Sequence, residues 1–379
     1  MKTGKTKEPF IHLTKRMSIS FGRAMLIRAC AAVLGLIVCG LLAFLLVDKL
    51  REDPKRIAEF YDSFIKGNFA TARRRWKFFK NIAVLLCIAL AITPAFRMRF
   101  WNIGAEGQTL MGILSAIAVN FYLGGKYSAE LALPNGVLLL LMFFASLIAG
   151  AIWAVIPALC TARWRTNETL FTLMMNYIAT YLVSFFLVLW VPSGSSSLGK
   201  LDTGKLPAIG HDYLLIILVA LALSAALYIY LNFSKHGYEI SVVGESEKTA
   251  RYIGIHVDRV IVRTMLLSGL LCGLAGYLIA AGLDQTVTTE SVGGDGFTAI
   301  MVSWLAHFNP LLMIVTSGIV VFLNQGADQV STAFDVSGAF PDVTVGVVLF
   351  FIIGSEFFIN YKVHFRKRQP KSVERGAIK

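Results

Sequence analysis

Apolar residues arrive in blocks close to the roughly 20 residues an α-helix needs to cross a bilayer. The blocks run over about Ala29–Val47, Ile82–Phe96, Thr109–Leu123, Asn135–Cys160, Leu170–Val191, Tyr213–Phe233 and Thr264–Leu283. Each predicts a membrane helix. Phe297–His307 is too short to span alone and is followed by Asn309-Pro310 and a further apolar run to Leu323. This pattern predicts a broken or half-helix pair, tolerated only where protein or a water-filled path covers the freed backbone. A last span covers about Val343–Ile359. Counting the pair as two, the chain has ten crossings. Gly269 and Gly273 have the small-xxx-small spacing of tightly packed membrane helices.

The polar interruptions carry the chemistry. Trp101-Asn102-Ile103-Gly104-Ala105-Glu106-Gly107-Gln108 stands between two strongly apolar blocks. A charge at bilayer depth costs roughly 2.5–3.5 kcal/mol on insertion scales, so it faces a cavity, a partner or a solute path. Asn176 and Tyr177 fall inside the fifth block, where an amide can bond another helix or a solute. Helix glue is the commoner case. In the long insert 234–263, Gly244–Ile255 predicts a short helix. Glu245 and Glu247 favour its N-terminal end and Gly254 terminates it. It is either a solvated connector or a handle for a soluble partner.

Composition agrees with a polytopic all-α membrane bundle. Of 379 residues, 56% are hydrophobic and only 16% charged, with a mean hydropathy of +0.66. The net charge of +13 does not point to nucleic acid. The basic residues gather at block ends and in the tails, and no nucleic-acid motif is present. By the positive-inside rule the basic tails 1–28 and 361–379 and the insert 234–263 are cytoplasmic, flanking or interrupting a membrane domain over 29–360. Loops 283–296 and 325–341 hold acids but no Lys or Arg and are expected outside. Residues 48–81 conflict with this scheme. They should be external, yet hold ten Lys/Arg including Arg73-Arg74-Arg75, which suggests an amphipathic helix lying on the membrane surface.

Gly194–Leu201 nearly matches a phosphate-binding loop, but Leu201 stands where Ser or Thr should bind magnesium. A linker is the better reading, and no ATPase site of the chain's own is expected. The five cysteines lack metal spacing, and His307, the one histidine at membrane depth, is expected to cap the half-helix. No nucleophile arrangement or paired carboxylates stand out, which leaves an intramembrane enzyme unsupported. An ion-driven secondary transporter would want intramembrane acids, and Glu106 is the one clear candidate. A structural or signalling membrane protein is a third, weaker alternative.

Three segments in order, Trp101–Gln108, Asn167–Ala179 and Val243–Ile255, resemble the permease subunits of bacterial ABC importers of the ribose and branched-chain amino acid type. The nucleoside and simple-sugar branch is nearest, with its Asn-Ile-Gly-Ala-Glu-Gly-Gln run. Gly294–Phe297 through Asn309-Pro310 is similar to that branch's late half-helix region, and the likeness extends from about Asp53 to Phe358. The resemblance implies a type II-like permease of about ten helices in the bacterial cytoplasmic (inner) membrane, importing a nucleoside or, second, a simple sugar. It implies a second permease subunit, a cytoplasmic ABC ATPase that binds ATP and magnesium, and an external or periplasmic solute-binding protein. No cofactor is implied in this chain. Asn102, Glu106, Gln108 and Asn176 would lie on or near the substrate path. Gly244, Glu245, Glu247, Ala250, Arg251 and Gly254 would belong to the segment coupling to the ATPase. Lys248-Thr249-Ala250-Arg251 departs from the family's Glu-Ala-Ala-Arg, and the basic run Arg73–Arg75 with Trp76–Lys80 is unusual for an external loop.

Overall fold

Long runs of Leu, Ile, Val and Phe satisfy their backbone polar groups internally by forming helices, as lipid requires. The computed structural model describes residues 11–16, 20–46, 51, 56–127, 132–191, 197–336 and 338–365. In order these form β1 (Ile11–Lys15), α1 (Phe21–Leu46), α2 (Arg56–Phe69), α3 (Ala72–Arg97), α4 (Ala105–Leu123), α5 (Asn135–Trp164), α6 (Glu168–Trp190) and α7 (Leu214–Phe233). There follow α8 (Lys235–Glu245), α9 (Glu247–Tyr252), α10 (Val257–Ile279) with a π-helical turn (Ala280–Asp284), α11 (Asp295–Leu305), α12 (Pro310–Phe334), α13 (Phe340–Asn360) and β2 (Tyr361–Phe365). Eight of the described helices are long and apolar enough to cross a membrane. α4, with its polar first turn, and the short α11 make up the remainder of the ten expected crossings.

The chain divides into two compact units, one of residues up to Gly67 and from Leu323 on, the other Asn68–Phe322. In the first unit α1 packs on α13. The apolar pattern opens the first span at about Ala29, after the basic tail, but α1 begins at Phe21. Arg28 is accommodated because its Nε and Nη2 donate to Glu356 Oε1 at 2.9 and 2.6 Å. α2 has the expected amphipathic pattern, but its apolar face is covered by protein. Phe60 and Phe64 are buried, and the Phe60 ring meets Phe334 and Phe340, each at 6.4 Å. Segments expected as basic tails also pair. Ile11–Lys15 runs antiparallel to Tyr361–Phe365, with Ile11 opposite Phe365.

In the second unit α3 is the buried axis, with Ile88, Leu90 and Ile92 wholly enclosed. α5 and α10 cross at the small residues anticipated from sequence. A Cβ on Gly150 would come within 2.4 Å of the Gly269 carbonyl oxygen, and Ser146 Oγ donates to Gly273 O at 2.6 Å. The half-helix pair differs from expectation, and its second helix continues from this unit into the residues of the first. α11 is a short half-helix, but its partner α12 runs unbroken to Phe334 instead of ending at Leu323. Asn324, Gln325 and Asp328 read as the start of a loop. Gln325 and Ala327 are instead buried in protein, Asn324 is partly covered, and Asp328 is exposed. His307 and Phe308 end α11 with positive φ, 49° and 57°.

Gly194–Ser196 of the phosphate-loop-like stretch lie outside the described residues, as do most residues of the two tails. The rest of that stretch is tied down: Leu201 N donates to Gln285 O at 2.9 Å and Leu206 N to Ala281 O at 3.0 Å. Lys200-Leu201 thus opens a loop laced over the π-helical turn.

Candidate solute path and coupling segment

Gly104 precedes α4, so the second half of the polar run, Ala105–Gln108, becomes the helix's first turn. The first half is non-helical and lies against α6 and α10, with Asn102 N donating to Phe100 O at 2.9 Å and Ile103 N to Trp101 O at 3.1 Å. Asn102 is fully buried. Its Nδ2 reaches Gln108 Oε1 at 3.3 Å and Ser268 Oγ at 3.2 Å, while its Oδ1 accepts from Gly104 N and Gln108 Nε2, both at 3.0 Å. Asn176 on α6 holds the same turn. Its Oδ1 accepts from Gly107 N and its Nδ2 donates to Ile103 O, both at 2.9 Å. Thr172 Oγ1 accepts from Ile103 N at 3.2 Å. These amides form a saturated knot, in which each partner removed would leave another buried group unpaired at roughly 1–3 kcal/mol.

Glu106 projects from this knot to α11. Its Oε1 accepts from Gly294 N at 2.9 Å and its Oε2 from Gly296 N at 2.8 Å. One carboxylate therefore caps the positive end of a half-helix. Gly294 has φ +81°, and a Cβ on Gly296 would come within 2.5 Å of the Glu106 backbone nitrogen. The glycines are what let two backbones and a carboxylate share this place. The four expected path residues are thus brought together, with Glu106 half-buried and Asn102, Gln108 and Asn176 buried. Sequence reasoning missed Thr172, Ser268 and the Gly294/Gly296 amides. A hydroxyl on a helix face carries no distinguishing signal, and Gly294–Phe297 reads only as part of a half-helix region.

The coupling segment differs in detail from the single helix over Gly244–Ile255. Ser246 is extended, with φ −162°, and its Oγ accepts from Thr249 N at 3.2 Å. It separates α8 from α9. Gly244 and Glu245 therefore close α8, and Glu247 alone opens α9. Gly244 is buried against α3, where a Cβ would lie 2.3 Å from the Arg97 carbonyl oxygen. Ala250 is buried too, whereas Glu245, Glu247, Arg251 and Gly254 are exposed. The exposed large apolar side chains of the segment are Tyr252, 92% exposed, and Ile253.

Arg165, at the end of α5, reaches Glu247 at 3.2 Å and Asp258 at 3.6 Å, and Asp258 also pairs with Arg251 at 3.2 Å. Between this network and the start of the polar run lies a cavity of about 150 Å³, touched by Phe100, Arg165, Glu168 and Glu247. Beneath the segment His236 is buried, bonded to the Tyr230 hydroxyl and 3.5 Å from Thr264 Oγ1. Burial and the nearby Arg263 push its imidazole below the usual histidine range, with Glu239 opposing. Arg73–Arg75 begin α3, whose other end, at Arg97, packs against α8. The basic run therefore lies at the end of α3 remote from the coupling segment.

Residues 77–353 match the family of branched-chain amino acid transport system permease components, and the chain belongs to that family. It is similar to the glucose ABC transporter permease protein TsgB13 of Haloferax volcanii, at 31% identity over 74% of this chain and 76% of that protein. It is also similar to the guanosine ABC transporter permease proteins NupP and NupQ of Bacillus subtilis. NupP is 26% identical over 79% of this chain and 86% of its own length; NupQ is 25% identical over 60% and 73%. No solved structure matches. The chain is a multi-pass ABC transporter permease, a transport component of its system.

Proposed function

We propose that this chain forms part of the translocation path of an importer for nucleosides, working by alternating access. The observation that carries the reading is the knot of Asn102, Gln108 and Asn176, from which Glu106 grips the half-helix α11. It builds a fixed frame at bilayer depth beside a helix that ends inside the membrane, the arrangement a gate needs. A second permease is the reading's next element, supported by NupP and NupQ being two guanosine permeases of one organism. The exposed Tyr252 and Ile253 suit a cytoplasmic ATPase, which would bind the ATP and magnesium and do the hydrolysis. An external solute-binding protein would deliver the solute. The membrane is the cytoplasmic (inner) one, with both termini inside.

The named relatives include guanosine and glucose permeases, so a simple sugar is the second reading, favoured by the 31% identity to TsgB13. An ion-driven transporter loses its main support because both Glu106 oxygens are occupied by backbone amides. The test is uptake of radiolabelled guanosine and glucose by cells carrying the chain with its genomic neighbours, with and without ATP depletion. Guanosine uptake abolished by depletion is expected. Glucose uptake alone replaces the solute, and uptake that survives depletion overturns the ABC mechanism.

A further inference from the structure

The amides of the knot leave little for a solute to bind. Asn102, Gln108 and Asn176 are buried, and Asn102 and Asn176 are bonded within the protein at both oxygen and nitrogen. The groups that meet a solute therefore belong to an open surface beside the knot. α6 carries one.

α6 is held on two sides. Asn176 turns to the first turn of α4, where its Oδ1 accepts from Gly107 N, and Met175 O accepts from Trp153 Nε1 of α5 at 3.2 Å. Tyr177, Tyr181, Ser184 and Val188 recur at helical spacing on a further side. All four are exposed, Tyr177 by 54% and Tyr181 by 73%. A separate exposed stripe of Met174, Ile178, Phe185 and Leu189 is wholly apolar.

The depth of the tyrosines matters. α6 has 23 residues. At about 1.5 Å per residue, Tyr177 and Tyr181 lie about 14 and 20 Å from its start, at the middle of a helix about 35 Å long. A phenol suits the membrane surface, where its hydroxyl is wet. Facing hydrocarbon at mid-span, the hydroxyl would go unpaired. Among the described residues, none bonds either hydroxyl. Neighbouring helices obey the rule that α6 breaks: α5 exposes Leu140, Phe144 and Ile148, and α7 exposes Leu218 and Leu221. Close packing by another membrane helix calls for small residues, whereas Leu170, Tyr177, Tyr181 and Val188 on this side are bulky. Lipid and a tightly packed helix are thus both poor neighbours for this face, and water is a good one.

We infer that the Tyr177–Tyr181–Ser184 face of α6 borders the aqueous path and that its two phenols contact the solute there. A phenol offers a ring face to a base or a sugar ring, and a hydroxyl that both donates and accepts. The face carries no charge, so the class it recognises is an uncharged ring compound bearing hydroxyls. The inference deepens the importer reading and rests on it.

The test uses the full chain with its partner subunits in membrane vesicles, in two arms. The first needs no solute. Tyr177→Cys, Tyr181→Cys, Ile178→Cys and Phe185→Cys are treated in turn with a charged, water-soluble methanethiosulfonate, and modification is located by peptide mapping. Tyr177→Cys and Tyr181→Cys should react at least tenfold faster than Ile178→Cys and Phe185→Cys. Similar rates at all four overturn the inference.

The second arm measures uptake, at equal membrane levels, of whichever of guanosine and glucose the unaltered chain imports. Tyr177→Phe combined with Tyr181→Phe keeps both rings and removes both hydroxyls. Maximal uptake should fall about fivefold, and Phe185→Leu on the apolar stripe should stay within about twofold. Unchanged uptake by the double variant overturns the solute contact. Should the double variant fail to reach the membrane, the two single variants are measured, and full uptake by both overturns it. Uptake of neither solute by the unaltered chain sinks the importer reading for these solutes and the solute contact with it. Slow labelling in a chain that does import sinks this inference alone.

Discussion

The knot around Asn102 and the network around Arg165 use polar groups in opposite ways. The knot is buried, built of neutral amides and backbone, and its central amides are engaged on both their oxygen and nitrogen. The Arg165 network is ionic, and each of its side chains is about half exposed. Buried hydrogen-bonded groups are expensive to disconnect, whereas exposed ion pairs contribute roughly 0–1 kcal/mol. A transporter needs both: a frame that keeps its geometry and a joint that exchanges partners at little cost.

Substitutions can break that contrast. The largest effect is expected from Gly296→Val, which forces side-chain atoms into the Glu106 backbone. Uptake should fall at least 100-fold, and membrane levels measured by immunoblot should drop with it. Next, Asn176→Leu strands the Gly107 amide and the Ile103 carbonyl. A fall in melting temperature of the detergent-purified complex and a tenfold loss of uptake are expected. Tyr252→Ala should leave melting unchanged while reducing solute-stimulated ATP hydrolysis about fivefold. Arg165→Ala should change both by less than twofold. If Arg165→Ala matched Asn176→Leu, the division into frame and joint would be wrong.

The smallest effect is on pH. His236 is held in its neutral form, so its folded value lies below the roughly 6.5 of an unfolded histidine. Its contribution to stability is complete above that pH and is lost as pH falls towards the folded value. Melting temperature followed from pH 7.5 to 5.5 should decline, and His236→Asn should flatten the decline.

Helix blocks, the Gly269/Gly273 crossing and the approximate place of the half-helix were legible in the sequence, because apolar runs and small residues carry their own periodicity. The extension of α12 beyond Leu323 was not, since Asn324, Gln325 and Asp328 look the same in a loop as in a helix that buries only Gln325 of the three. The place of α2 was hidden for a related reason: an amphipathic face does not say whether lipid or Phe334 will cover it. In the site, Asn102, Glu106, Gln108 and Asn176 stood out as costly at bilayer depth. Apart from one another and Ser268, their partners were backbone amides and carbonyls, which every residue owns and no sequence pattern singles out. Ser246, as the cap that divides the coupling segment, was readable from its residue type but was overshadowed by the two flanking glutamates.

The ribbon of Ile11–Lys15 with Tyr361–Phe365 makes the chain a closed circuit without a covalent ring. Fragments of a split fluorescent protein fused to the two ends should therefore complement within one molecule, with a signal that does not depend on expression level. The same pairing makes the two strands a natural joint for circular permutation. A short linker there would free any loop to become the new start of the chain.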